Sequence, residues 1–380
     1  MGKERFEYIE LAFEFPIYYR PPLSEDYFLY PAQIAEQIGL KSAIFTIRNP
    51  LTPQKKQVVN GIDVFRFNSV FSLLRELVKV SPRLAHGHSF GWAPATFAPL
   101  IVRKYVFTPH VYRLDIYPKW KVALVLLPLR NSDAIITRTK YETGQFKELS
   151  SKSKVHLIPI PIDYDFFALT KEEWKVEIRR RYALKANDRL ILCVTNPRPI
   201  KNLETLIRSV AIVNAKIPSS KLIIVGGDPP LNLGLFSATK PKSSYSLELA
   251  KLAASLGVKE NVIFAGYQNE EELRKFYAAS EIFCMPSKVE GQLLAAGEAS
   301  SATIPLVLSN LPTLREIYEG CALFHKPMDH EQLASHIITL LENPELAKAL
   351  GNAGRAKMRN YRPEIVHAKL RKLYENLLSN

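Results

Sequence analysis

The sequence predicts an α/β protein made of two similar halves, each a parallel sheet covered by helices on both faces, with a cleft between them. Three observations predict it. Short apolar strands alternate with helically spaced segments along most of the chain, the mark of parallel sheets under helical cover. The alternation runs through twice, with a proline-stiffened turn at Pro159 and Pro161 between the two passes. The chain, 380 residues and 47% hydrophobic, is long enough to bury two cores.

In the first half, strands are expected at Tyr8–Phe13, Ser42–Ile47, Val64–Phe67, Leu84–His88, Tyr105–Thr108, Ala134–Thr137 and Val155–Ile158, with helical spacing at Tyr30–Ile38 and Phe71–Val78. In the second they are expected at Leu190–Val194, Lys221–Val225, Val262–Ala265, Ile282–Met285 and Leu306–Leu308. Helices are expected there at Asn202–Val213, Leu247–Leu256, Glu270–Ala279 and Gln292–Ala302. The first domain is expected to span 1–168 and the second 169–362, the latter opening with the charged segment KEEWKVEIRRRY. Ile365, Val366, Leu370, Leu373, Tyr374, Leu377 and Leu378 recur at helical intervals, so 363–380 reads as an amphipathic helix that must dock.

Charge and cysteine content narrow the class. The net charge of +14 divides evenly between residues 1–170 and the rest, so no basic arm exists. Such a surface attracts polyanions and anionic membranes loosely; specific nucleic-acid recognition is not expected. Three widely separated cysteines, Cys193, Cys284 and Cys321, argue against a disulfide framework or a zinc site. A charged start and no apolar run of membrane-spanning length lead to a cytoplasmic expectation, with peripheral association at the inner membrane face allowed for.

The segment 286–310, PSKVEGQLLAAGEASSATIPLVLSN, carries the most chemistry. A strand ending at Met285 leads through Glu290 and Gly291 into a helix. Gly291 lets backbone approach a ligand, and the helix's first amides offer donors and a positive dipole end to a diphosphate or sugar hydroxyl. By spacing alone, a capped helix with two solvated glutamates is the favoured reading. His86 and His88 share one strand face, but a metal would need a third ligand and none is suitably spaced, so no metal is expected.

The segment resembles the E-x7-E element of the retaining family 4 (group 1) glycosyltransferases, with Glu290 and Glu298 in the places of its two carboxylates. LAHGHS (84–89), TPHVYR (108–113), SDAIITRT (132–139), VHLIPIPID (155–163), NPRPIKNLETLI (196–207), LIIVGGD (222–228), NVIFAGY (261–267) and ELRKFYAASEIFCMPS (272–287) resemble that family's other landmarks, in its order, over most of the chain.

The resemblance implies the GT-B architecture, two Rossmann-like domains with parallel sheets facing across a cleft, the first binding acceptor and the second a nucleotide sugar, with the last helix crossing back to the first. It implies that Glu298 holds the ribose hydroxyls and Glu290 a hydroxyl of the donor sugar, near the amides of Gln292, Leu293 and Leu294. Carboxylates suit both tasks because each accepts paired charge-assisted hydrogen bonds. It also implies that Lys201 and Arg198 grip the diphosphate, that His110 faces the donor sugar, and that the backbone of Val262 and Ile263 meets the base. Neutralising the departing diphosphate would stabilise charge developing in the transition state.

The chain departs from the pattern in three places. The family's register puts the arginine at position 196, which is Asn196 here, two residues before Arg198. The Gly-Gly loop after the first strand is replaced by the glycine-free stretch 13–28, and Phe-Gly-Leu-Pro by Gln292-Leu293-Leu294-Ala295. The expected activity is retaining transfer of a hexosyl unit from a nucleotide-diphosphate sugar, with no further cofactor, to a glycan or lipid-linked acceptor. The rivals are a sugar phosphorylase, a nucleotide-sugar epimerase and an idle glycan-binding protein of the same fold.

Overall fold

Buried runs of β-branched and aromatic residues pair into two separate sheets. The computed structural model describes residues 6–12, 23–48, 54–88, 92–110, 119–150, 154–227 and 245–379. Phe13, most of the glycine-free stretch, Ser89, residues 111–113 and Asp228 lie outside them. The chain divides into two compact units, Met1–Pro161 with Pro363–Asn380, and Ile162–Arg362.

The strands of the first unit are β1 (Tyr8–Leu11), β2 (Ser42–Ile47), β3 (Lys56–Val59), β4 (Ile62–Phe67), β5 (Leu84–His88), β6 (Tyr105–Thr108), β7 (Ala134–Thr137) and β8 (Lys154–Leu157). They form one sheet in the order β3-β4-β2-β1-β5-β6-β7-β8. Every pair is parallel except β3 with β4. Strand β3 has no counterpart in the sequence reading, because its side chains are largely exposed and carry no apolar alternation. The turn into β4 is Asn60-Gly61, both at positive φ (47° and 85°), as a two-residue hairpin requires.

One face of this sheet buries Tyr8, Ile44, Leu84 and Val106 against Leu29 and Ala32 of the helix Leu23–Gln37, and against Val366, Leu370 and Tyr374 of the helix Pro363–Ser379. The last helix therefore docks its apolar stripe in the first unit's core. The other face packs Ile9, Phe45, Ala85 and Phe107 on Leu73 and Leu77 of the helix Val70–Val80.

The second unit contains β9 (Arg189–Val194), β10 (Ser220–Val225), β11 (Val262–Gly266), β12 (Ile282–Met285), β13 (Leu306–Ser309) and β14 (Ala322–His325). Their order is β11-β10-β9-β12-β13-β14, all parallel. This is the Rossmann order, which reverses direction between its first and fourth strands. The unit starts at Ile162, earlier than the boundary read after Ala168. Ile162 donates its amide to Tyr361 O at 2.8 Å, and Phe167 packs edge-on against Tyr277 at 5.6 Å, which ties 162–168 to this unit. Cys193, Cys284 and Cys321 are free and buried.

Candidate functional site

In a doubly wound sheet, ligands bind beyond the carboxyl ends of the strands that flank the reversal. In the second unit those strands are β9 and β12. Beyond β9 the chain passes Thr195–Arg198, makes a single turn of 3-10 helix at Pro199–Lys201, and enters the helix Leu203–Lys216 through Asn202 at φ 54°. Beyond β12 it runs through Pro286–Leu293 into the helix Leu294–Ser301.

The two loops are stitched together. Asn202 Nδ2 donates to Pro286 O at 3.0 Å, and Lys288 N to Ile200 O at 2.9 Å. Lys201 Nζ then meets Glu290 Oε1 at 2.6 Å, where Ser287 Oγ also donates at 2.7 Å. Thr313 Oγ1 holds the backbone at Glu290 O, 2.7 Å away. Glu290 is 10% exposed and Lys201 24%, so the pair sits under the surface with its cation still reachable. Beneath it, burial pushes the Cys193 thiol up to about 12, the Lys201 cation lowering it and Glu290 raising it.

Leu293 gives the helix Leu294–Ser301 no side-chain cap, so its first amides look to a ligand or to water. Glu298 lies on the next turn, 2% exposed, and accepts from Tyr277 Oη at 2.7 Å. Its neighbour Gly297 has no room for a side chain: a Cβ there would stand 2.1 Å from Ile162 Cδ1.

The structure thus brings Lys201, Glu290, Gln292, Leu293, Leu294 and Glu298 to one end of β9 and β12. Gln292 and Leu293 are buried and Leu294 is half-buried. Arg198 shares the loop, but its side chain is exposed and makes no ion pair among the described residues. Gly291 is not at positive φ; the glycines whose backbone requires it at this end of the sheet are Gly226 (137°) and Gly266 (67°). Val262 and Ile263 fall in the first half of β11, paired with Leu222 and Ile223, so the end of that strand nearest the loops is Ala265–Gly266 instead. A cavity of about 510 Å³ opens at the other end of this sheet, beside Glu281 and Pro305 just before β12 and β13, away from these residues.

His110 belongs to the first unit, at φ 61° just beyond β6, a backbone conformation rare for non-glycine residues and a mark of local constraint. The structure adds a cluster that spacing did not disclose. Glu10 of β1 is buried opposite His86 of β5. Glu10 contacts His88 Nε2 and accepts from Tyr8 Oη, and His88 Nδ1 meets His110 Nε2 at 2.7 Å. His86 bonds Tyr374 Oη at 2.8 Å and Thr108 Oγ1 at 2.7 Å.

Burial holds Glu10 well above the usual carboxylate range and keeps His86, His88 and His110 well below that of imidazole, with the Arg138 charge lowering all three rings further. Glu10, His86 and His88 are the third-ligand geometry that sequence spacing lacked. Their nitrogens and carboxylate oxygens, however, are already engaged with one another and with Tyr8, Tyr374, Thr108 and His110, so the cluster reads as a hydrogen-bonded network. The available signal was a glutamate inside the apolar strand YIELAF, since a buried carboxyl demands partners.

Two parallel-sheet α/β units give the chain the GT-B fold, which its solved structural neighbours share. Residues 175–357 match the model of the family of glycosyl transferases group 1. The chain is 25% identical over 281 residues to the GDP-mannose-dependent alpha-(1-6)-phosphatidylinositol monomannoside mannosyltransferase of Mycolicibacterium smegmatis, covering 71% of this chain and 63% of that protein. It therefore spans somewhat less than two thirds of that relative's length. Among solved structures, sucrose-phosphate synthase from Thermosynechococcus elongatus superposes with a TM-score of 0.80 at 20% identity, covering 98% of this chain and 99% of the other. HepE of Anabaena in complex with UDP-glucose gives 0.79 at 16%, covering 98% and 100%.

Proposed function

We propose that this protein is a retaining hexosyltransferase that takes a hexosyl unit from a nucleotide-diphosphate sugar. The observation that carries the reading is the convergence of Lys201, Glu290 and an uncapped helix N-terminus at the reversal of the second sheet, with buried Glu298 one turn along. Lys201 and the helix amides are suited to the diphosphate, whose charge grows as the glycosidic bond breaks. Glu290 is suited to a hydroxyl of the donor sugar and Glu298 to the ribose. Arg198, on the same loop, would join the phosphates on ligand binding, and His110 would address a sugar hydroxyl. These groups suffice for transfer without a further cofactor, and the departing diphosphate assists the incoming hydroxyl on the same face. The mannosyltransferase relative and the UDP-glucose complex of HepE both support a nucleotide-sugar donor.

A lipid-linked acceptor is favoured by the outer face of the helix Val70–Val80. Phe71 is 76% exposed there and Val78 54%, at helical spacing with Arg75 and beside Lys79. Apolar side chains among cations suit the surface of an anionic membrane. Among the described residues no helix is long and apolar enough to cross one.

The test is incubation with UDP- and GDP-hexoses and a panel of sugar and lipid-linked acceptors, followed by proton NMR. A product with the donor's anomeric configuration, formed only with acceptor and also in the presence of a chelator, is expected. Inversion, conversion of donor without acceptor, or consumption of phosphate would replace this reading with another enzyme of the same fold.

A further inference from the structure

Two hydrogen bonds in series join Glu10 to His110 through the single ring of His88. Each contact holds one proton, and a neutral imidazole carries only one N–H, so the position of one proton fixes all the others. With Glu10 ionised, His88 donates from Nε2 and accepts at Nδ1; His110 must then donate from Nε2, leaving its Nδ1 a hydrogen-bond acceptor. With Glu10 protonated the order reverses: His88 accepts at Nε2 and donates from Nδ1, His110 accepts at Nε2, and its Nδ1 carries the proton. One proton from solvent, arriving at His110 Nδ1, converts the first state into the second. It forms an N–H there, moves one proton along each bond and ends as the neutralised Glu10 carboxyl. Neither ring is a cation in either end state.

We propose that Glu10 and His88 are positioning residues that set, through this relay, whether His110 Nδ1 accepts or donates a hydrogen bond to a sugar hydroxyl. Its chemistry stands on the first unit alone; its purpose rests on the glycosyltransferase reading.

The surroundings suit a relay without charged rings. Tyr8 on β1, His86 on β5, Thr108 on β6, Tyr30 from the helix Leu23–Gln37, Tyr374 from the helix Pro363–Ser379 and Arg138 beyond β7 face the cluster. Burial raises the three phenols and lowers His86, so all four stay neutral at ordinary pH. Arg138 is the one fixed cation among these groups; it favours the ionised carboxyl and opposes imidazolium. The same burial that disfavours imidazolium makes Glu10 the group that takes the proton. Phe28 closes on the side of both rings, 4.9 Å from His88 and 6.2 Å from His110 by centroid.

The experiment is NMR of the full chain labelled with ¹³C-glutamate and ¹⁵N-histidine, titrated from about pH 5 to about pH 9, where an ordinary imidazole titrates near 6.5. The Glu10 carboxyl and His110 Nδ1 are expected to change with one midpoint, with His88 exchanging Nε2–H for Nδ1–H and no imidazolium signal. In Glu10→Gln, which keeps the shape and cannot ionise, both transitions should vanish while the remaining spectrum is retained. His110 titrating alone as a cation, or no transition of Glu10 in that window, overturns the relay. The pH profile of kcat/KM should share the midpoint in the native chain and flatten in Glu10→Gln; a profile unchanged by the substitution overturns its role in transfer. Absence of transfer with every donor would sink the transferase reading alone, because the spectra do not depend on it.

Discussion

Lys201 and Glu290, 89 positions apart in the chain, form an ion pair of 2.6 Å that closes the gap between the loops beyond β9 and β12. In the proposed reading, the pair keeps the Lys201 cation at the end of the sheet where a diphosphate would bind. The lysine is held by a carboxylate that also accepts from Ser287.

That geometry separates the two roles in kinetics. Glu290→Ala should lower kcat by about 10²–10³-fold, the size of losing one transition-state contact, while leaving nucleotide affinity within a few fold. Steady-state rates with the identified donor, set beside binding of the nucleotide product, would show it. An equal loss in both would place Glu290 at the nucleotide instead of the sugar.

The turn at Gly226 should be intolerant of any side chain. Its φ is 137°, and a Cβ would stand 1.9 Å from Thr195 O, a backbone atom that cannot swing away. Gly226→Ala is expected to cost about 2–4 kcal/mol in chemical denaturation. Gly227→Ala is the control, since its Cβ would lie at an ordinary 3.4 Å from Tyr267 Cβ.

Acid should loosen the fold through the histidine cluster. His86, His88 and His110 have folded-state values well below 6.5, so below that pH the unfolded chain binds protons that the folded chain refuses. Stability is then lost as pH falls. Glu10, raised well above 4.5, works in the opposite sense. Three groups outweigh one, so stability is expected to fall as pH is lowered below 6.5. Denaturant midpoints at several pH values would measure it, and a midpoint that rises toward acid would contradict the assignment of neutral rings.

Adsorption to membranes can be read on vesicles. Phe71→Ser with Val78→Ser should weaken binding to vesicles rich in phosphatidylglycerol by about tenfold or more, from the apolar area withdrawn. Binding to zwitterionic vesicles should be weak throughout. Native affinity in the double variant would move the contact elsewhere.

Much of this was legible in the sequence for physical reasons. Strands such as Ser42–Ile47, Leu84–His88 and Ile282–Met285 are continuous buried runs, and their limits agree with the structure residue for residue. The stripe Val366, Leu370, Leu373 and Tyr374 declared a docking helix. Strand β3 stayed hidden because an exposed antiparallel edge strand needs no apolar pattern. In the site, Lys201 and Glu290 could be named, but their mutual contact could not, since pairing across 89 residues is a property of strand order. Glu10 was missed for the same reason: only the register of β1 on β5 sets it beside His86.

The central claim is that the ends of β9 and β12 bind the diphosphate and ribose of a nucleotide sugar. Calorimetric titration of the chain with UDP, GDP and ADP, repeated on Lys201→Ala and Glu298→Ala, tests it most directly. One nucleotide should bind, and each substitution should weaken it by about tenfold or more, the size of a lost charge-assisted hydrogen bond. Binding to none of the three, or binding that both variants leave intact, would contradict the account.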